Sequence, residues 1–148
     1  MRHQHELVIN LPRERVLEVF LDADNRAKWQ PSLLTMEAIR GDGHEVGAQT
    51  KQLHRMGGRE LWITETITVS DYPDKFCATY EGGGTHNLIE NYFSEVGVNK
   101  TKWVLVSDFS RSNLLMRTMA SIMPGTFKKQ SLTFMKLFKE FAERIPTQ

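Results

Sequence analysis

At 148 residues the chain is sized for one domain, spanning 1–148, able to bury roughly two thirds of its unfolded surface without disulfides or a metal. Charged residues at 25% nearly cancel to a formal +1, and the basic ones are scattered, which argues against nucleic acid as a partner. The single cysteine, Cys77, excludes an intramolecular disulfide, and neither a signal core nor a run near the ~18 apolar residues of a spanning helix occurs, so a cytoplasmic protein with no stable membrane insertion is expected.

Residues 5–11, HELVINL, alternate and form a first strand that stops at Pro12. Pro12 suits the first turn of a helix over 12–21, where Val16, Leu17, Val19, Phe20 and Leu21 cluster at helical spacing. A second short helix over 22–30, with Asp24 as N-cap, presents Trp29 and ends before Pro31. Residues 33–40 make a second strand, closed by Gly41-Asp42-Gly43.

From Val46 the pattern is a meander whose turns fix the strand faces. Gly57-Gly58 has the composition of a two-residue hairpin, so Met56 faces Arg59, His54 faces Leu61, Gln52 faces Ile63, Thr50 faces Glu65 and Ala48 faces Ile67. These share an inner face, with Trp62, Leu53 and Lys51 on the outer one. A turn at 71–75 pairs Val69 with Phe76 and brings Phe76, Ala78 and Tyr80 inward. Gly82 to Thr85 sets Tyr80 opposite Asn87, carrying Ile89, Asn91 and Phe93 inward. A hairpin at 97–100 pairs Phe93 with Trp103, so Leu105, Ser107 and Phe109 join them. A slip of one residue at any turn would invert everything beyond it.

Two apolar helical patterns follow. Leu114, Leu115, Met119 and Ile122 mark the first; Pro124 and Gly125 separate it from a long amphipathic helix over 126–145 carrying Phe127, Phe134, Met135, Phe138, Phe141, Ala142 and Ile145. So wide a face needs a broad apolar surface, which the strands can supply.

The inner face also carries polar groups, Thr50, Gln52, His54, Glu65, Tyr80, Asn87 and Asn91, which a dry core would penalise unless each found a partner. They therefore point to a cavity between sheet and helix in which they orient a mostly apolar small molecule; the alternative is that they lie solvated near strand ends. Glu65, if buried, should have its pKa raised by desolvation, making it an acid/base candidate with His54 and Tyr80; the alternative is a structural partner for a nearby hydroxyl or amide. Residues expected to bind ligand are Gln52, His54, Ile63, Glu65, Phe76, Tyr80, Ile89, Asn91, Trp103, Leu105, Met119, Phe134 and Phe138.

Other motifs are weaker. The histidines lack ligand spacing, and His3 and His5 read as a solvated end, so no metal is expected. The glycines miss the phosphate-loop and dinucleotide patterns, and no serine sits in a GxSxG elbow, so no cofactor and no standard nucleophile are expected. Leu53 with Trp62 on the outer face allows at most a weak homodimer beside a monomer.

The stretches NLPRERVLEVFLDADNRAKWQPSL, GDGHEVGAQT, ITETITVSDYPDKF and PGTFKKQSLTFMKLFKEFAE, in the order strand, two short helices, six strands, long helix, resemble the START-related helix-grip (SRPBCC) superfamily, in particular its polyketide cyclase/dehydratase and lipid-transport branch. The resemblance spans nearly the whole chain and implies an α+β helix-grip fold: a curved antiparallel seven-stranded sheet wrapped around a long C-terminal helix, with two short helices between strands 1 and 2. It implies a cavity for lipids, polyketides, quinones or plant hormones; a few such proteins are cyclases, and heat-shock-ATPase activator homologues bind protein. The motifs are structural, and no catalytic signature of the family falls on this sequence. A carrier or sensor of a small hydrophobic molecule is the expectation, with a polyketide aromatase/cyclase-type enzyme and a protein-interaction module as alternatives.

Overall fold

The computed structural model describes residues 1–146. Seven antiparallel strands form one sheet in the order β1-β7-β6-β5-β4-β3-β2, with β1 Arg2–Ile9, β2 Leu33–Arg40, β3 Gln49–Met56, β4 Arg59–Asp71, β5 Lys75–Gly82, β6 Thr85–Gly97 and β7 Lys100–Asp108. Helices α1 Arg13–Leu21 and α2 Ala23–Trp29 lie between β1 and β2, and α3 Leu114–Ile122 and α4 Pro124–Arg144 close the chain. This is the helix-grip architecture the sequence implies.

Turn chemistry sets the register. Gly57 and Gly58 both take positive φ, as do Gly83 and Gly84, the conformation that two-residue hairpins require and that glycine adopts without Cβ strain. The expected pairs follow: Met56 with Arg59, His54 with Leu61 and Thr50 with Glu65; Tyr80 with Asn87; Phe93 with Trp103. Trp103 is fully buried and Trp62 is exposed on the other face, where the Lys51 ammonium sits 4.8 Å from its ring centroid.

Five local expectations need correction. β1 starts at Arg2 and ends at Ile9 because it pairs with β7 along its whole length, while Leu11 has left the ladder and gives its carbonyl to Thr101 Oγ1. The N-cap of α2 is Asp22, not Asp24; its carboxylate accepts from the Asp24 N–H at 3.0 Å. A bulge between Ile67 and Val69 pairs Val69 with Cys77 instead of Phe76, which turns Val69 to the outer face. α4 begins at Pro124, whose missing N–H costs nothing at the first helical position. His3 is no solvated end: it is buried and its Nε2 lies 2.8 Å from Ser131 Oγ on α4.

The core gathers where α1, α2 and the second half of α4 meet the sheet. Phe20 lies within 5.3–6.3 Å, ring centre to ring centre, of Trp29, Phe76, Phe93, Trp103 and Phe138. Offset and edge-on contacts of this kind add about 0.5–1.5 kcal/mol per pair beyond burial. Polar bolts fix this end of α4: Lys139 donates to the Val8 carbonyl and Glu143, and Glu143 accepts from the Asn10 N–H.

Candidate functional site

Register alone stacks Thr50, Glu65, Tyr80 and Asn87 across four adjacent strands on the inner face. Glu65 is almost wholly buried. Its Oε2 accepts from Arg26 Nη1 at 2.9 Å and from the Tyr80 hydroxyl at 2.7 Å, and its Oε1 accepts from Thr50 Oγ1 at 3.4 Å. Arg26 comes from α2, where it lies three residues before Trp29 and so shares that helix's buried face. Nothing in the spacing of the sequence singles Arg26 out. The available signal is chemical: a carboxylate on an inner strand face demands a buried cation, and Arg26 is the basic residue on the inner side of a short helix.

A chain of hydrogen bonds leads into this carboxylate. Gln52 Nε2 donates to Thr50 Oγ1 at 3.1 Å, leaving Gln52 Oε1 to accept from His54 Nε2 at 2.9 Å. That places the histidine proton on Nε2, so Nδ1 accepts from Ser32 Oγ at 3.1 Å. Every donor from Ser32 to Thr50 thus points toward Glu65, an alignment in which each bond polarises the next.

The charges follow. Burial alone pushes the Glu65 pKa up, but the Arg26 charge and the bonds from Tyr80, Arg26 and Thr50 outweigh it and hold the carboxyl below its ordinary range. The expected rise by desolvation is therefore overturned by a partner on α2. Burial and the adjacent Glu65 push the Tyr80 phenol well up. Burial and the Arg26 charge push His54 down, against the opposing pull of Glu65. At neutral pH the trio is an ion pair with a phenol donating to it. Its carboxylate is a weak base and its phenol a weak acid, so it is suited to presenting a fixed polar wall.

Two other polar inner residues are occupied by the fold. Asn91 accepts from Trp103 Nε1 at 2.9 Å and donates to the Phe76 carbonyl at 3.2 Å. Asn87 Oδ1 accepts from Ser107 Oγ at 2.8 Å. Of the apolar residues expected at the site, Phe76, Trp103, Leu105 and Phe138 are fully buried, while Ile63, Ile89 and Phe134 are half-buried. Met119 is not brought to this group; it stands exposed on α3.

Exposure separates two zones beneath α4. Along the inner face, Leu61, Ile63, Tyr80, Asn87 and Ile89 all keep accessible surface, although the alternation turns them toward the helix side. A helix packed directly on them would have sealed them. The nearest backbone neighbours of α4 are β1, α1, α2 and α3. The indole N–H of Trp29 is buried with no acceptor among the described residues. Two hollows, lined by Asp42, His44 and Ser70 and by Arg13, Leu17 and Tyr72, include no residue of this zone. Among the described residues no cluster of three or more His, Cys, Asp or Glu comes together, and no helix is long and apolar enough to cross a membrane.

Comparison with known proteins finds the same fold. The ZhuI aromatase/cyclase of a Streptomyces species superposes with a TM-score of 0.79 at 15% identity, covering 97% of this chain and 94% of that one. Norcoclaurine synthase from Thalictrum flavum, solved with dopamine and hydroxybenzaldehyde, gives 0.71 at 16%, covering 100% and 89%. A START superfamily protein from Mycobacterium smegmatis gives 0.70 at 11%, covering 98% and 99%. At such identities the likeness is one of fold. No curated protein matches at the level of sequence. The family model for polyketide cyclase / dehydrase and lipid transport proteins matches residues 2–136, so the chain belongs to that family, and the seven-stranded grip around α4 is the fold it shares with these structures.

Proposed function

We propose that the protein binds a small, largely apolar molecule between the inner sheet face and the first half of α4, as a carrier or sensor. The observation that carries this reading is the half-buried state of Leu61, Ile63, Tyr80, Asn87 and Ile89 on the face turned toward the helix. Apolar side chains so placed gain about 25 cal/mol per Å² when a ligand removes them from water. Norcoclaurine synthase, a fold neighbour, holds aromatic small molecules, which supports room for such a ligand in this architecture.

A second reading, an aromatase/cyclase-type enzyme, draws on the fold shared with ZhuI and on Glu65, His54 and Tyr80 as acid/base groups. The ion pair with Arg26 weighs against it, since it holds Glu65 ionised and weakly basic. The test is native mass spectrometry of the purified chain for co-purified lipid or quinone, followed by titration with a fluorescent fatty acid while amide and methyl NMR shifts are recorded. Shifts at Ile63 and Ile89 with saturable binding are expected. No probe bound, or shifts confined to the outer face, would overturn the reading. Glu65→Gln should leave apolar binding largely intact, whereas an enzyme acting through this carboxylate would lose its turnover.

A further inference from the structure

Helix α3 is turned the wrong way for a water-facing helix. Leu115, Met119 and Ile122 fall at i, i+4 and i+7 and form one stripe, with Leu114 and Met123 on its borders. This apolar stripe faces solvent: Leu115 is 67% and Ile122 73% exposed, whereas the helix buries Ala120 against the body. A contiguous apolar patch of this kind marks an interaction surface.

Charge shows what covers it. Residues 109–139 contain no aspartate or glutamate, yet they carry Arg111, Arg117, Lys128, Lys129, Lys136 and Lys139. Lys136 and Lys139 lie in the second half of α4, where Lys139 pairs with Glu143, which leaves Arg111, Arg117, Lys128 and Lys129 as the basic residues of α3, the residues leading into it and the first turns of α4, with no acid in that stretch. Arg111, Arg117, Lys128 and Lys129 are exposed, and no ion pair joins them to an acid among the described residues.

We propose that α3 and the first turns of α4 form a peripheral docking surface for an anionic membrane, with the Leu115, Met119 and Ile122 stripe entering the headgroup layer and the exposed basic residues of the same stretch, Arg111, Arg117, Lys128 and Lys129, attracting acidic lipid. An amphipathic helix with an apolar stripe on one side and Arg117 on the other, followed by Lys128 and Lys129, fits the interface between headgroups and acyl chains, and binding there combines apolar burial with attraction to acidic lipid. A symmetric dimer through the same face fits worse, since it would bring together two copies of a stretch that carries four exposed basic residues and no acid. Docking of this kind requires no spanning helix. It goes beyond ligand binding and stands whether or not a ligand is carried.

The test is co-sedimentation of the full chain with large vesicles of phosphatidylcholine alone and of phosphatidylcholine with a third phosphatidylglycerol. Binding to the anionic vesicles at low salt is expected, at least about tenfold stronger than to the neutral ones and weakened by added salt. The combined change Leu115→Glu with Ile122→Glu should abolish it while the circular dichroism and melting temperature stay at the wild-type values. Lys128→Glu with Lys129→Glu should weaken it by about tenfold or more, because one basic residue near an acidic surface contributes about fivefold. Wild-type protein left in the supernatant with both vesicle types would overturn the proposal, as would equal pelleting of the Leu115→Glu, Ile122→Glu variant. So would a vesicle-free dimer of the wild type that this variant dissolves, since the stripe would then be a self-contact.

Discussion

Phe138 and Leu115 belong to helices of similar apolar periodicity separated by a single turn, and they meet opposite fates. Phe138 has no accessible surface and touches the rings of Phe20, Trp29 and Trp103; Leu115 is two thirds exposed. The second half of α4 is bolted to the end of β1 through Lys139 and Glu143, so its apolar side is pressed onto the sheet and two helices. α3 has no such backing. Periodicity reports that a helix has an apolar side; only tertiary placement decides whether protein, ligand or another surface covers it.

The comparison breaks first if the packed end proves soft. Phe138→Ala should cost about 3–5 kcal/mol in a urea melt, from lost transfer energy plus the void left behind. A loss below half that would mean the aromatic cluster is loosely packed.

Next in size is Arg26→Leu, which leaves the Glu65 carboxylate buried without its cation. Removing one partner of a buried pair costs about 3–5 kcal/mol, and the low end is expected because the stranded carboxyl can take up a proton. The pH dependence has a definite sign. In the wild type the depressed Glu65 pKa contributes stability that is complete above the unfolded value of about 4.3 and is lost as pH falls through the lower folded value. Without Arg26 the folded pKa should lie above the unfolded one, so stability should improve as pH falls from neutrality toward 4. Melts of both proteins across that range would measure this, and parallel curves would show that the pair carries no such linkage.

Phe134 probes the boundary between the two zones. It is half-buried and 4.8 Å from the Trp29 ring. A residue bordering open space already lacks partners on one side, so Phe134→Ala should cost under about 2 kcal/mol yet weaken a fluorescent fatty acid severalfold. A full core-sized loss with unchanged probe binding would move the boundary. The smallest effect is expected on α3: Leu115→Ser and Ile122→Ser should each stay within about 0.5 kcal/mol of wild type.

Much of the sheet was legible because glycine turns are local rules. Gly57-Gly58 and Gly83-Gly84 fix their hairpins within four residues, and parity then carries every side chain to its face. The bulge beyond Ile67 carries no such signature in TVSDYPDK, so alternation alone puts Val69 on the wrong face by one residue of slip. The polar row at Glu65 was equally legible, but not its charge state, since that depends on Arg26 from a helix 39 positions away. His3 likewise reads as a solvated end until α4 supplies Ser131; burial first, then the nearby Lys128 charge among its neighbours, lowers its pKa to about 4. Long-range partners leave no trace in periodicity.

The attachment of α3 has a consequence for how this surface can change. Asn113 caps the helix by accepting from the Met116 N–H, and its own N–H bonds the Gly84 carbonyl on the β5 to β6 turn. Ser112 bridges to the backbone of His86 beside it. A Cβ at Gly84 would run into the Asn113 amide, so the glycine keeps the seat open. The helix is thus hung from main-chain atoms of a tight turn, not from its own greasy residues. Its outward letters are therefore decoupled from folding, and the strength or choice of what docks there can be retuned by substitution while the sheet beneath stays as it is.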